Sequence, residues 1–188
     1  MAKRLIRREK LVPDATHWVV ATPENTTTYK PPPRNHELYA LIGEIASRWS
    51  FIELQLDACI ATLADLGPEI TACITAQMMG HMPRCLTIKA IAHWRGLPEI
   101  VKAAEALQNK LHEASEFRNR AIHDRLLIET KSEGAFKDHR MSKKELHYGL
   151  KEFDKGQMTR AIELIDKRSG DCSSLLLLIR EQVYDYDT

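Results

Sequence analysis

Long hydrophobic runs are missing from this chain of 188 residues. The longest, LLLLI at 175–179, falls far short of the roughly 18–20 apolar residues that cross a bilayer, so no membrane span is expected. The opening MAKRLIRREK is followed by no apolar segment and no small-residue cleavage site, which argues against a secretory signal. A surplus of one charge is also lacking. Lys plus Arg number 27 and Asp plus Glu 26, leaving a formal charge of +1, so no global field draws the chain to nucleic acid or membrane. Any nucleic-acid contact has to come from a local patch. Cysteine is sparse: Cys59, Cys73, Cys85 and Cys172 lie far apart, mostly inside helical patterns. They form neither a disulfide framework nor a paired metal-ligand motif, and free buried thiols in a reducing cytoplasm are expected. A glycine-rich phosphate loop, a nucleophile elbow and clustered metal ligands are all lacking, so neither cofactor nor metal is expected.

Apolar residues at 44% and charged residues at 28% suit a globular protein, and the length suits one domain. Residues 1–34 stand apart. KRLIRREK carries five basic residues and one acid, and PENTTTYKPPPR is rich in Thr and Pro. These residues read as a basic, Pro-rich arm with one short strand near HWVVA, either a solvated terminus or an arm reaching over RNA.

From Asn35 the periodicity is helical. Leu38, Leu41, Ile42, Ile45, Trp49, Ile52, Leu56, Cys59, Ile60 and Leu63 follow steps of three and four, with Asn35 as cap and Gly67-Pro68 as stop. Shorter helices are expected near 68–79 and 83–94, and a fourth starts at Pro98. His81 is expected in the loop before the third helix; His93 and Trp94 close that helix. After about residue 125 the period changes. LLIET, AFKDHRM and ELHYGLKEF read as extended pieces, with KSEG as a turn. Asp154 and Gln157 have capping-box spacing, and a last helix continues through Ser169-Gly170, a small pair that would allow another helix close approach. The expected fold is mainly α: an antiparallel four- to five-helix bundle over 35–182, with a small β-hairpin insertion at about 126–153 and a frayed tail at 183–188.

The chemistry concentrates in FRNRAIHD, residues 117–124. Plotted at about 100° per residue with Leu111 at zero, Arg118 falls near −20°, inside the apolar stripe of Ile100, Ala104, Leu107, Leu111, Ala114 and Ile122. An always-charged guanidinium there needs a carboxylate, a carbonyl array or a watery crevice. Glu53 on the first helix is the favoured carboxylate, with Glu44 as a second choice. Asn119 and His123 fall near +80° and +120°, i and i+4 neighbours at the polar edge, with His112, Ser115 and Glu116 flanking the sector.

Arg118, Asn119 and His123, with the long first helix, resemble the Arg-polar-spacer-His motif of the HEPN superfamily (higher eukaryotes and prokaryotes nucleotide-binding domains). The resemblance implies a helical bundle, usually dimeric, in which two motifs meet in a composite ribonuclease site that needs no metal. It implies catalytic roles for Arg118, Asn119 and His123; Glu53, Glu116, Arg120 and Asp124 are the candidate supporting residues. It further implies RNA as substrate, a homodimer through the first and fourth helices, and a cytoplasmic toxin or phage-defence setting whose antitoxin or regulator is not named by the sequence. The chemistry is attack of an RNA 2′-hydroxyl on the adjacent phosphodiester, giving a 2′,3′-cyclic phosphate. Histidine suits the proton transfers and arginine the phosphate charge. The alternative is a noncatalytic HEPN-like dimeric module for interaction or RNA binding. Arg118 is then tied to Glu53, and His123 only caps the last carbonyls of its helix.

Overall fold

The computed structural model describes residues 18–21, 26–124, 126–129, 135–140, 148–152 and 154–184. In chain order these form β1 (Trp18–Ala21), β2 (Thr26–Lys30), α1 (Glu37–Ala64), α2 (Pro68–Thr75), α3 (His81–Trp94), α4 (Pro98–His123), β3 (Leu126–Glu129), β4 (Ala135–Arg140), β5 (Tyr148–Glu152) and α5 (Lys155–Tyr184). Two compact units divide the chain, one of residues 43–118 and 160–188, the other of residues 1–42 and 119–159. The protein is mainly helical, as the periodicity requires.

In the first unit the core comes from the stripes of α1, α3, α4 and α5: Ile45, Trp49, Ile52, Leu56 and Leu63 on α1, Cys85 and Ile88 on α3, Ile100, Leu107 and Leu111 on α4, and Ile165, Cys172 and Ile179 on α5. Pairs of side-chain contacts along neighbouring helices give their directions. Arg48 pairs with Asp166, and seven residues later the Gln55 amide donates to Ser173 Oγ at 2.7 Å, so α1 and α5 run parallel. Asp57 with Arg84 and the Leu63 carbonyl with Arg95 give α1 and α3 the same sense. Lys110 with Asp171 and Glu99 with Gln182 run α4 against α5. The expected wholly antiparallel bundle is therefore corrected to a mixed one. Helix α2 and its following turn carry the chain back before α3 begins, which permits the parallel pairing.

Arg84 holds that return in place. Its guanidinium pairs with Asp57 Oδ1 at 2.7 Å and donates to the carbonyls of Met78 at 2.6 Å and Gly80 at 2.9 Å. Met78 lies in the turn after α2, and Gly80 is the residue that caps the start of α3. One buried cation thus links α1, the turn after α2, and α3. On the other side, Gln55 also donates to the Ser169 carbonyl and accepts from Ser169 Oγ at 3.0 Å, fixing the register of α1 on α5.

The helix ends differ from the expected caps. His36 Nδ1, not Asn35, accepts the Leu38 N–H at 3.3 Å. Helix α1 stops at Asp65, which takes φ 52°, while the Leu66 N–H returns to the Ala61 carbonyl at 3.0 Å; Gly67 instead begins α2. Helix α3 ends the same way at Gly96, φ 72°, with Leu97 N–H on the Ala92 carbonyl. Helix α5 is continuous through Ser169 and Gly170, and Asp154 Oδ1 accepts the Gln157 N–H at 2.7 Å. A Cβ added at Gly170 meets nothing, so close helix approach does not explain this glycine.

The second unit is built on a five-stranded antiparallel sheet in the order β1-β2-β3-β4-β5. Residues 1–34 were expected to form only an arm with one strand. Instead β1 and β2 pair with each other, and β2 joins β3 through Tyr29 opposite Glu129 and Lys30 opposite Ile128. The β-branched run Thr26–Thr28 favours a strand, and pairing with β3 covers an edge that a separate small hairpin would leave open. Leu126, Leu127 and Ile128 are buried in succession, so β3 is enclosed on both faces. In the same unit Glu37 and Lys155 pair at 2.9 Å, setting the first turns of α1 and α5 side by side. The basic cluster of residues 3–10, the turn at 131–134 and the 185–188 tail lie outside the described residues.

Removing the Arg84 side chain strands the Asp57 carboxylate and two carbonyls. Arg84→Met is expected to lower the unfolding free energy by about 3 kcal/mol in urea titration. Gly170→Ala, in an open helix-interior position, is expected to raise it by roughly 0.5–1 kcal/mol in the same assay.

Candidate functional site

Helix α4 sets the geometry of the proposed motif. Leu97 leads into Pro98, whose ring suits the first helical turn, and Ile100, Ala104, Leu107, Leu111 and Ala114 are all buried. That stripe fixes the rotation of the helix about its axis. Arg118 falls at the inner edge as the angular plot requires: it is half-buried, and its Nε is shielded from solvent. Asn119 and His123 are exposed, one turn apart. Near the end of α4 the buried residue is Ala121, while Ile122, expected in the stripe, is half-buried. The boundary between the two compact units falls between Arg118 and Asn119. Arg118 is thus the last α4 residue of the helical unit, and Asn119, Arg120, His123 and Asp124 belong to the other.

The supporting residues are distributed differently from expectation. Glu53 accepts the Trp49 indole N–H at 3.0 Å, and Glu44 is taken by Arg48 at 2.7 Å. The indole donor lies one turn away on the same helix, close enough to need no tertiary coincidence. Glu116 is exposed and faces His112 at 3.9 Å. Arg120 and His123 occupy the last turn of α4, where the helix dipole favours cations. Asp124 is half-buried, and its N–H closes on the Arg120 carbonyl at 3.2 Å.

A second group was not anticipated. His81, expected in a loop, is the first residue of α3 and is buried. Its ring meets Trp49 edge-on, with centroids 5.7 Å apart. Burial holds its pKa below the usual imidazole value, and the nearby His112 lowers it further. Its Nε2 is buried with no hydrogen-bond partner among the described residues. Glu53, Trp49 and His81 therefore form a packed group in the helical unit, and Glu53 belongs to it. Trp49 on the α1 stripe was legible from periodicity, but nothing local marked His81 as its neighbour.

Three cysteines are unsuited to nucleophilic work. Burial pushes the Cys59 thiol up to about 12 and the Cys85 thiol to about 11, and raises Cys172 as well. Cys73 is exposed. Among the described residues, no group of three His, Cys, Asp or Glu side chains is placed to hold a metal ion, and no helix is long and apolar enough to cross a membrane. No family model, curated protein or solved structure matches this chain.

The state of His81 makes stability depend on pH. Above its unfolded value of 6.5 both states are neutral at this residue. As pH falls below 6.5 the unfolded chain takes up a proton that the folded chain resists, so stability is lost until the folded value is passed. The urea midpoint is expected to fall between about pH 7 and pH 5, with this residue contributing at most about 1.4 kcal/mol per pH unit. His81→Phe should flatten that slope; an unchanged slope would assign the dependence to other groups.

Proposed function

We propose that this protein is a metal-independent endoribonuclease of the HEPN type, acting on RNA as a homodimer with a composite site. The observation that carries the reading is the position of the motif on α4: Asn119 and His123 are exposed one turn apart, and Arg118 precedes them at the edge of the buried stripe. A histidine open to solvent can reach a substrate proton. An arginine partly withdrawn from water binds a phosphate oxygen more strongly than a fully solvated one.

In this reading His123 carries the proton transfers as the 2′-hydroxyl attacks phosphorus and the 5′-oxygen leaves. Arg118 holds the phosphate and stabilises the charge that develops on it. Asn119, one turn before His123, orients the imidazole or accepts a sugar hydroxyl. Arg120 and Asp124 shape the rim, and Glu116 faces His112 at 3.9 Å. A toxin or phage-defence role in the cytoplasm accords with such an activity.

The test is cleavage of labelled RNA in excess EDTA by the full chain. His123→Ala and Arg118→Ala are each expected to lower the rate by about 10²–10⁴-fold, with the circular dichroism spectrum and melting point retained. Asn119→Ala is expected to have a smaller effect, about 10-fold, as befits an orienting group. Wild-type protein no more active than the variants on several RNAs would refute the enzyme reading and leave the noncatalytic dimeric module.

A further inference from the structure

The apolar stripe of α4, expected to serve a dimer, is used up inside the helical unit: Ile100, Ala104, Leu107, Leu111 and Ala114 are all buried in a single copy. Among the described residues α4 exposes no large hydrophobic side chain. Helix α3 is the reverse. Its inner side buries Cys85, Ile88 and Ala92, yet its outer side carries Met82 at 43% exposure, Leu86 at 52% and Trp94 at 84%, with exposed Ala90 between the last two. Met79, at 91%, lies just before the helix. Phe51 and Leu54 on α1, and Ile70 and Ile74 on α2, are exposed too, but as pairs and not as rows.

Residues 82, 86, 90 and 94 are successive i+4 positions, a ridge about 18 Å long of the kind helices most often use to pack on one another. No charge lies on it. Lys89, beside it, is turned towards α4 and paired with Glu105 at 3.3 Å. The sizes along the ridge run large, large, small, large. Turned end for end about its midpoint beside Ile88, the ridge sets Leu86 against alanine and Met82 against tryptophan. Large meets small at the centre, and a thioether meets an aromatic ring at each end.

We propose that the outer face of α3 is a self-association surface on which α3 of a second copy lies antiparallel, Leu86 packing on Ala90 of the second copy and Trp94 on its Met82. This twofold arrangement is self-complementary, as an isologous interface must be. Trp94 with Met79, Met82, Leu86, Ala90 and His93 offers on the order of 600 Å² per copy, so two copies bury about 1,200 Å², the lower bound for a specific interface. Uncharged self-complementarity favours a second copy over a charged partner, whose rim would find no matching charge along the ridge. The surface is argued from α3 alone and is not the α1–α4 contact expected for a composite site: a monomeric wild type would count against both, whereas single variants that stay dimeric would count against the α3 interface and leave the composite-site dimer standing.

Sedimentation equilibrium of the full chain, from about 1 to 100 μM, tests it. Wild type is expected to reach twice 21.5 kDa at the upper end. Leu86→Lys and Ala90→Glu, both at exposed positions, should each remain at the mass of one chain with an unchanged melting point. Mixed in equal amounts they should regain the two-chain mass, because the heterodimer sets the new lysine against the new glutamate and leaves the other Leu–Ala contact native. A wild type that stays monomeric throughout, single variants that stay dimeric, or a mixture that stays monomeric would each overturn the antiparallel α3 interface.

Discussion

The rotation of α4 is the constraint on which the functional reading depends. Five buried apolar side chains between Ile100 and Ala114 leave the helix one orientation, and every later residue inherits it at about 100° per step. Arg118 is thereby held at the inner edge, and Asn119 and His123 are turned outward. Turning the helix by one residue would expose Leu107 and Leu111, at a cost of several kcal/mol.

The helices around α4 are positioned by few polar contacts. Arg84 ties α1 to the end of α2 and the start of α3, and Gln55 sets α1 against α5 at Ser169 and Ser173. These groups are buried or nearly so, which gives them leverage. A hydrophobic stripe tolerates sliding by a turn, whereas a guanidinium that must satisfy a carboxylate and two carbonyls does not. The buried thiols of Cys59, Cys85 and Cys172 in the same core act as small apolar groups.

Much of this was legible in the sequence where one physical term dominates. The α1 stripe follows from periodicity, and α5 passes through Gly170 because its apolar spacing outweighs one glycine, although it is Leu175 and not Leu176 that is buried. Terminal chemistry was less legible. Asn35 and His36 compete for the same cap, and Asp65 reached the left-handed conformation before Gly67 could end the helix. Contacts distant in sequence were not legible at all: the pairing of β2 with β3 spans about a hundred residues, and Arg84 looked like any helix arginine until the turn after α2 folded over it. The Trp49 indole that Glu53 accepts from, one turn back on the same helix, was not singled out by the position of Glu53 at the stripe edge. Arg118 could be located from its angle on α4, whereas its surroundings depend on the fold.

The central claim is that α4 carries a ribonuclease centre working through the RNA 2′-hydroxyl. The most direct measurement is the end chemistry of RNA cleaved by the full chain in EDTA, beside the same RNA with a 2′-deoxy sugar at the cleaved position. The account expects 2′,3′-cyclic phosphate and 5′-hydroxyl ends, and no cleavage at the deoxy position. Products with 3′-hydroxyl and 5′-phosphate ends, or equal cleavage of the deoxy substrate, would contradict it.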